Sequence, residues 1–135
     1  MLPEPYRLHH RADFSRTVRR GQRIGRRDVV VHIYVHRYDA HSDTNESPAA
    51  NVALARTGGP RFGLIVSKAV GHAVIRHRVA RRLRHMCAQV TDELTPETDV
   101  VIRALPGAAD ATSEELLRQL RAAVRKAHAG SAGRT

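Results

Sequence analysis

Arginine side chains recur at one-turn spacing between residues 73 and 90, an arrangement suited to binding a row of phosphate groups. If this segment is a helix, one face carries His77, Arg78, Arg81, Arg84 and His85, with Arg76 and Arg82 on its borders. No Asp or Glu occurs from Ser47 to Thr91, so nothing near in sequence relieves the repulsion between like charges. The pattern favours an external polyanion as partner. The alternative is a solvated helix that is basic by chance.

The charge of the whole chain points to the same kind of partner. The 23 Lys and Arg residues against 13 Asp and Glu give a formal net charge of +10, and the pI is about 11.3. Only Lys68 and Lys126 are lysines, and the planar guanidinium of arginine suits phosphate. This balance indicates nucleic acid. An anionic membrane surface is disfavoured, because a helix lying on a membrane would need Trp, Phe or Leu on its apolar face.

Size and cysteine content limit the remaining possibilities. At 135 residues the chain is expected to form one nucleic-acid-binding domain over residues 1–128, with a disordered tail over 129–135. The single Cys87 excludes an internal disulfide and reads as a small core residue. No apolar run approaches the length of a membrane span, which needs about 18 residues or more. We therefore expect a soluble, cytoplasmic protein without a membrane or small-molecule partner.

Metal-binding and catalytic patterns are weak. His72, His77 and His85 lie on or near one helix, but His77 and His85 are two turns apart among arginines, which would repel a cation. No paired carboxylates, nucleophile elbow or phosphate loop is present. The sequence therefore predicts no catalytic residue and no metal site in the protein.

The pattern of apolar residues predicts the elements that position the basic helix. Residues 12–20 form a short helix, 29–37 the clearest strand, 61–67 and 100–104 further strands, and 73–90 the basic helix. Residues 22–26 are an optional extra strand. Thr112 and Glu115 form a capping box that opens a last helix. The apolar stripe of the basic helix, which faces the core, is Ile75, Val79, Leu83, Met86 and Val90.

A second candidate binding site combines aromatic rings with arginines. If the first helix crosses one face of the strand 29–37, the two elements form a shallow groove between them. The groove is lined by Phe14, Val18, His32 and Tyr34 and flanked by Arg7, Arg11 and Arg16. Rings between arginines suit single-stranded nucleic acid, because bases stack on them. The alternative is that Phe14 and Tyr34 close a minor core.

The segment 67–84, SKAVGHAVIRHRVARRLR, resembles the signature of the bacterial ribonuclease P protein component. Nine positions match the family pattern: Ser67, Lys68, Gly71, Ala73, Val74, Arg76, Arg78, Arg81 and Arg84. Upstream, Arg7, Leu8 and the pair Asp13-Phe14 are similar to the start of that family. The order of elements agrees over nearly the whole chain.

The resemblance implies an α+β fold, an α-β-β-β-α-β-α two-layer sandwich like the second domain of ribosomal protein S5, with a left-handed βαβ crossover. It also implies an accessory subunit of an endoribonuclease. In that family a catalytic RNA removes the 5′ leader of precursor tRNA with Mg²⁺, which is bound mainly by the RNA.

The resemblance further implies two sets of RNA-binding residues. The catalytic RNA would bind Arg61, Lys68, Arg76, His77, Arg78, Arg81, Arg82 and Arg84. The leader of precursor tRNA would bind Arg7, Arg11, Phe14, Val18, His32 and Tyr34.

Several positions depart from the family pattern. Ala69 and Ala80 replace lysines, and His77 replaces an asparagine. Val18 and His32 stand where aromatic rings are expected, so we expect weaker stacking on the leader. Two other classes stay open: a ribosomal or chaperone-like RNA-binding protein with the same fold, and a protein nuclease acting alone.

Overall fold

The chain folds around a four-stranded sheet with helices against both faces. The computed structural model describes residues 7–8, 11–36 and 60–132, with side chains up to residue 127. Its helices are α1 (Arg11–Arg20), α2 (Ala73–Val90) and α3 (Ser113–Ala132), and its strands are β1 (Gln22–Gly25), β2 (Val29–Val35), β3 (Arg61–Ile65) and β4 (Thr98–Ala104). Short 3-10 turns span Thr91–Glu93 and Pro106–Ala109.

The strands lie in the order β1-β2-β4-β3. β1 and β4 run antiparallel to β2. β3 runs parallel to β4, and α2 connects these two strands along the chain. The predicted α-β-β-β-α-β-α order of an α+β fold is therefore confirmed, including the optional strand that became β1. The left-handedness of the β3-α2-β4 connection stays a prediction.

Side chains alternate between the two faces of the sheet along each strand, and the two faces differ. Val29, Val31 and Ile33 belong to the main core together with the buried side of α2 and α3. The sheet and the layer formed by α2 and α3 make up the expected two-layer sandwich. On the opposite face α1 packs across β2 and β4. The sheet thus separates α1 from the basic helix α2, which gives the protein two distinct surfaces.

The apolar stripe of α2 faces the core as predicted. Val79, Leu83, Met86 and Val90 are buried, and Ile75 is partly buried against the same cluster. Cys87 is fully buried, and this burial raises the pKa of its thiol. The residue is therefore an unreactive part of the core, as its place beside the stripe indicated.

Several element ends differ from the sequence prediction, including the end of β3 at Ile65 and not at residue 67. β2 ends at Val35, and β4 begins at Thr98 rather than at residue 100, because the buried Asp99 is paired within the sheet despite its charge. α3 continues to Ala132, so residues 129–132 belong to a helix and not to a tail. The predicted loop 38–59 lies outside the described residues.

The capping box at the start of α3 is present. The Thr112 backbone N–H donates to Glu115 Oε1 at 2.8 Å, and the Glu115 N–H donates to Thr112 Oγ1 at 3.1 Å. The hydrogen bond from the Thr112 backbone and a second one from Arg27 lower the pKa of Glu115. The capping box fixes where α3 begins, and Arg27 links this start to the turn between β1 and β2.

Candidate nucleic-acid interface

The predicted basic face of α2 points away from the core. His77, Arg78, Arg81 and His85 are exposed, and Arg76, Arg82 and Arg84 are half-buried. Within residues 7–8, 11–36 and 60–132, none of these arginines pairs with a carboxylate. We call this set of seven side chains the α2 face. Its charge is directed to solvent and is not neutralised by the described part of the chain.

The two borders of the α2 face are held differently. Arg82 Nη1 donates to the carbonyl oxygen of Ala111 at 3.1 Å, which ties its guanidinium to the turn before α3. Arg76 has a buried Nε without a hydrogen-bond partner among the described residues. A buried donor of this kind costs about 1 to 3 kcal/mol when it stays unsatisfied. Arg76 therefore carries a buried donor that the described part of the chain leaves unsatisfied.

The start of α2 adds to the positive potential. His72, the residue that precedes the helix, makes no side-chain cap, and the first turn contains no acid. Lys68 is exposed in the turn before it, and this turn closes at Gly71 with a φ of +156°, a conformation that favours glycine. The unpaired N–H groups of a helix N-terminus attract anions. Lys68, which the sequence grouped with the α2 arginines, therefore extends the positive charge of the α2 face toward β3.

The second predicted site falls on the opposite face of the sheet. A Cβ atom added at Gly63 would collide with the ring of Phe14, so α1 lies directly on β3 there. Along the sheet, Gly63 is paired with Val101 and Val101 with His32. Phe14 and His32 therefore share one face with a single residue of β4 between them. This is the arrangement that the sequence predicted for α1 and strand 29–37.

His32 is a neutral, nearly buried side chain on that face. It is 4% exposed, and its Nδ1 has no hydrogen-bond partner in the described ranges. Its pKa is lowered mainly by burial and further by the positive charges of Arg23 and Arg103. Burial and neighbouring cations thus both favour the neutral imidazole over imidazolium.

Arg23 and Arg103 are the functional candidates that sequence reasoning missed. Arg23 is paired with His32 across β1 and β2, and Arg103 lies on β4 opposite Val30; both side chains are exposed. Arg103 alternates with the buried Ile102 and Ala104, which is a signal that the sequence did contain. We call Phe14, Val18, Arg23, His32 and Arg103 the α1 surface.

The other residues assigned to this site are more dispersed. Tyr34 is half-buried and makes an edge contact with His36, with ring centroids 4.8 Å apart. Arg7 is paired with Phe62 at the outer edge of β3, whereas Arg23 lies at the opposite edge of the sheet on β1. Arg11 is exposed at the first position of α1. The structure places Phe14 and His32 on one face of the sheet, has Val18 one helical turn after Phe14 on α1, and leaves Arg7 at the outer edge of β3.

Arg61 does not join the α2 face with which the sequence grouped it. Its guanidinium donates from Nε and Nη2 to the two carboxylate oxygens of Asp99, both at 3.0 Å. It also lies 3.5 Å from Asp13 of α1. Because Arg61 and Gly63 alternate with the core residue Phe62, Arg61 points to the α1 side of the sheet. The grouping failed because Arg61 is near α2 in sequence but lies across the sheet from it.

Metal and membrane sites find no support among the residues that the structure describes. No three His, Cys, Asp or Glu side chains in these ranges are grouped closely enough to hold a metal ion. None of the described helices is long and apolar enough to cross a bilayer.

Comparisons with known proteins agree with this architecture. The family model described as Ribonuclease P matches residues 2–128. A ribonuclease P protein component from Nocardia farcinica is 70% identical over 129 residues, covering 93% of this chain and 83% of the relative. A second one, from Rhodococcus erythropolis, is 58% identical over 126 residues, covering 93% and 91%.

Solved structures share the fold at lower identity. The RNase P protein of Staphylococcus aureus superposes with a TM-score of 0.67 at 23% identity, covering 90% of this chain and 94% of that one. The RNase P protein of Thermotoga maritima gives a TM-score of 0.65 at 16% identity, covering 89% and 96%. With a family model that spans nearly the whole chain and relatives of such high identity, the chain belongs to the ribonuclease P protein component family.

Proposed function

We propose that this chain is the accessory protein of a ribonuclease P, docking on the catalytic RNA through the α2 face and receiving the 5′ leader of precursor tRNA on the α1 surface. The observation that carries the proposal is that the basic side of α2 points outward and that none of its arginines pairs with a carboxylate within residues 7–8, 11–36 and 60–132. Folded RNA offers phosphates over an extended surface, and each arginine that meets one releases a counterion. Endonucleolytic cleavage and its Mg²⁺ are assigned to the RNA, as the family resemblance implies.

The α1 surface has the chemistry for a single strand. Phe14 is half-buried with its ring over Gly63, and a base stacked on an aromatic ring gains about 1 to 3 kcal/mol. The exposed Arg23 and Arg103 on either side of His32 can contact the backbone phosphates of the same strand. The neutral imidazole between them supplies a hydrogen-bonding edge without a third positive charge.

The positions of the two surfaces suggest how the protein assists cleavage. Leader and catalytic RNA are both polyanions and repel each other, and a protein of net charge +10 between them reduces that repulsion. Since the α2 face and the α1 surface lie on opposite sides of the sheet, one protein can contact both at once. Binding energy spent on the leader favours the precursor over the mature tRNA, which has none.

Reconstitution with the cognate catalytic RNA tests this function. We expect the protein to lower the Mg²⁺ concentration required for cleavage and to tighten binding of precursor tRNA by about tenfold or more relative to mature tRNA, the gain from stacking a single base or two. The measurement is cleavage and equilibrium binding across a Mg²⁺ titration, with and without protein. Equal tightening for precursor and mature tRNA would contradict the leader site.

Two controls separate this function from the alternatives left open by the sequence. Protein free of RNA is expected not to cut precursor tRNA; cutting would identify a protein nuclease. Affinity-purified protein is expected to carry one large RNA; recovery with ribosomal RNA instead would indicate a ribosomal or chaperone-like protein.

A further inference from the structure

Arg61 lies at the centre of an ion network between β3, β4 and α1. Its Nε and Nη2 each donate to Asp99 at 3.0 Å, and its Nη1 lies 3.5 Å from Asp13 Oδ2. The Asp99 side chain is fully buried, and the side chains of Asp13 and Arg61 are 13% and 20% exposed. All three nitrogens of the guanidinium therefore face a carboxylate in a site that is largely closed to water.

This arrangement leaves Arg61 unsuited to binding a phosphate. Asp99 also contacts His36 Nε2 at 2.8 Å, but the fork of Arg61 provides its bidentate partner. If the guanidinium moved to an RNA phosphate, it would leave a buried carboxylate without that partner, which is strongly unfavourable. The role of Arg61 therefore follows from the elements that it connects.

The network connects the sheet to the first turn of α1. Asp13 precedes Phe14, whose ring lies on Gly63, and Gly63 is two residues after Arg61 on the same face of β3. The ion pair and the ring contact thus join the same helical turn to the same strand. If the ion pair were lost, the ring of Phe14 could shift on the sheet.

We propose that Arg61 is a positioning residue that fixes the first turn of α1 on the sheet and so holds Phe14 where the leader strand can stack on it. The inference rests on the proposed leader site. It assigns Arg61 to the leader side of the protein, through Asp13, and not to a contact with the catalytic RNA.

A double-mutant cycle distinguishes positioning from direct contact because the two roles predict opposite signs for Asp13→Asn. If Arg61 bound phosphate, removing a competing carboxylate would strengthen RNA binding. If Arg61 positions α1, Asp13→Asn and Arg61→Lys should each weaken precursor binding about three- to tenfold. The double variant should be no weaker than the weaker single variant, the non-additivity typical of contacting residues. Binding of mature tRNA and of catalytic RNA should not change.

The matched control is the half-buried pair Arg121 and Glu93, whose Nε–Oε2 distance is also 3.0 Å but which links α3 to the turn after α2. Arg121→Lys and Glu93→Gln should leave the ratio of precursor to mature affinity unchanged. A fall in this ratio equal to that of the Arg61 cycle would overturn the inference, because any lost ion pair would then suffice.

Hydrogen exchange on the free protein separates failure of the inference from failure of the proposed function. Arg61→Lys and Asp13→Asn should speed exchange of the amides in 11–20 and leave those in 79–90 at the wild-type rate. Unchanged exchange in 11–20, or tighter RNA binding by Asp13→Asn, overturns the positioning role. Faster exchange with an unchanged affinity ratio instead shows that α1 was loosened without effect, which overturns the leader site and the inference that rests on it.

Discussion

Replacing Arg78 and Arg81 together by alanine is expected to weaken binding of the catalytic RNA by about a hundredfold or more. Both side chains are exposed on the α2 face, and neither pairs with a carboxylate of the described chain. A hydrogen bond to a charged group contributes about 1.5 to 3 kcal/mol, and about 1.4 kcal/mol corresponds to a tenfold change in affinity. Two lost phosphate contacts should also reduce the slope of log affinity against log salt by about 2.

A variant with the same change in net charge provides the control. Arg27→Ala with Arg121→Ala also removes two positive charges, but Arg27 contacts Asp28 and Glu115, and Arg121 contacts Glu93. We expect it to weaken RNA binding far less and to keep most of the salt slope. Equilibrium binding at several salt concentrations measures both quantities. Equal losses for the two double variants would mean that net charge, and not the α2 face, governs assembly.

Replacing Phe14 by leucine and Arg103 by glutamine is expected to reduce precursor tRNA affinity of the reconstituted enzyme by about tenfold or more, with mature tRNA affinity unchanged. Leucine retains an apolar contact over Gly63 but removes the flat ring, and stacking contributes about 1 to 3 kcal/mol per base. Arg103 is exposed on the same face of the sheet. The measurement is binding of precursors with successively shorter leaders.

The control for this second variant is Arg118→Gln, an exposed arginine of α3 on the other side of the sheet from the α1 surface. It should leave both tRNA affinities as they are. If the Phe14 and Arg103 changes lower mature and precursor affinity in parallel, the α1 surface contacts the body of the tRNA and not the leader.

The α2 face could be predicted from sequence because it depends on local periodicity. Val79, Leu83 and Met86 repeat at helical spacing, so the side that they bury also fixes the side that the arginines expose. The capping box of Thr112 and Glu115 is similarly local. Such features need only the geometry of one helix.

The contacts of Arg61 could not be predicted in the same way. Asp99 is 38 residues away, and the two meet only because β3 and β4 are parallel in one specific register. A one-residue change in register would turn Arg61 toward the core. Arg23 was missed for a similar reason, since β1 is four residues long and its pairing with β2 decides that Arg23 lies beside His32. Strand pairing decides which residues lie together on the α1 surface, and the local sequence pattern does not specify that pairing.

The most direct test of the α2 face is arginine-specific modification of the intact protein by phenylglyoxal, read by mass spectrometry with and without saturating catalytic RNA. We predict that RNA strongly slows modification of Arg78 and Arg81, while Arg118 and Arg125 on α3, which are also exposed, keep rates close to those of the free protein. Modification of Arg78 and Arg81 at the same rate in both states would contradict the account.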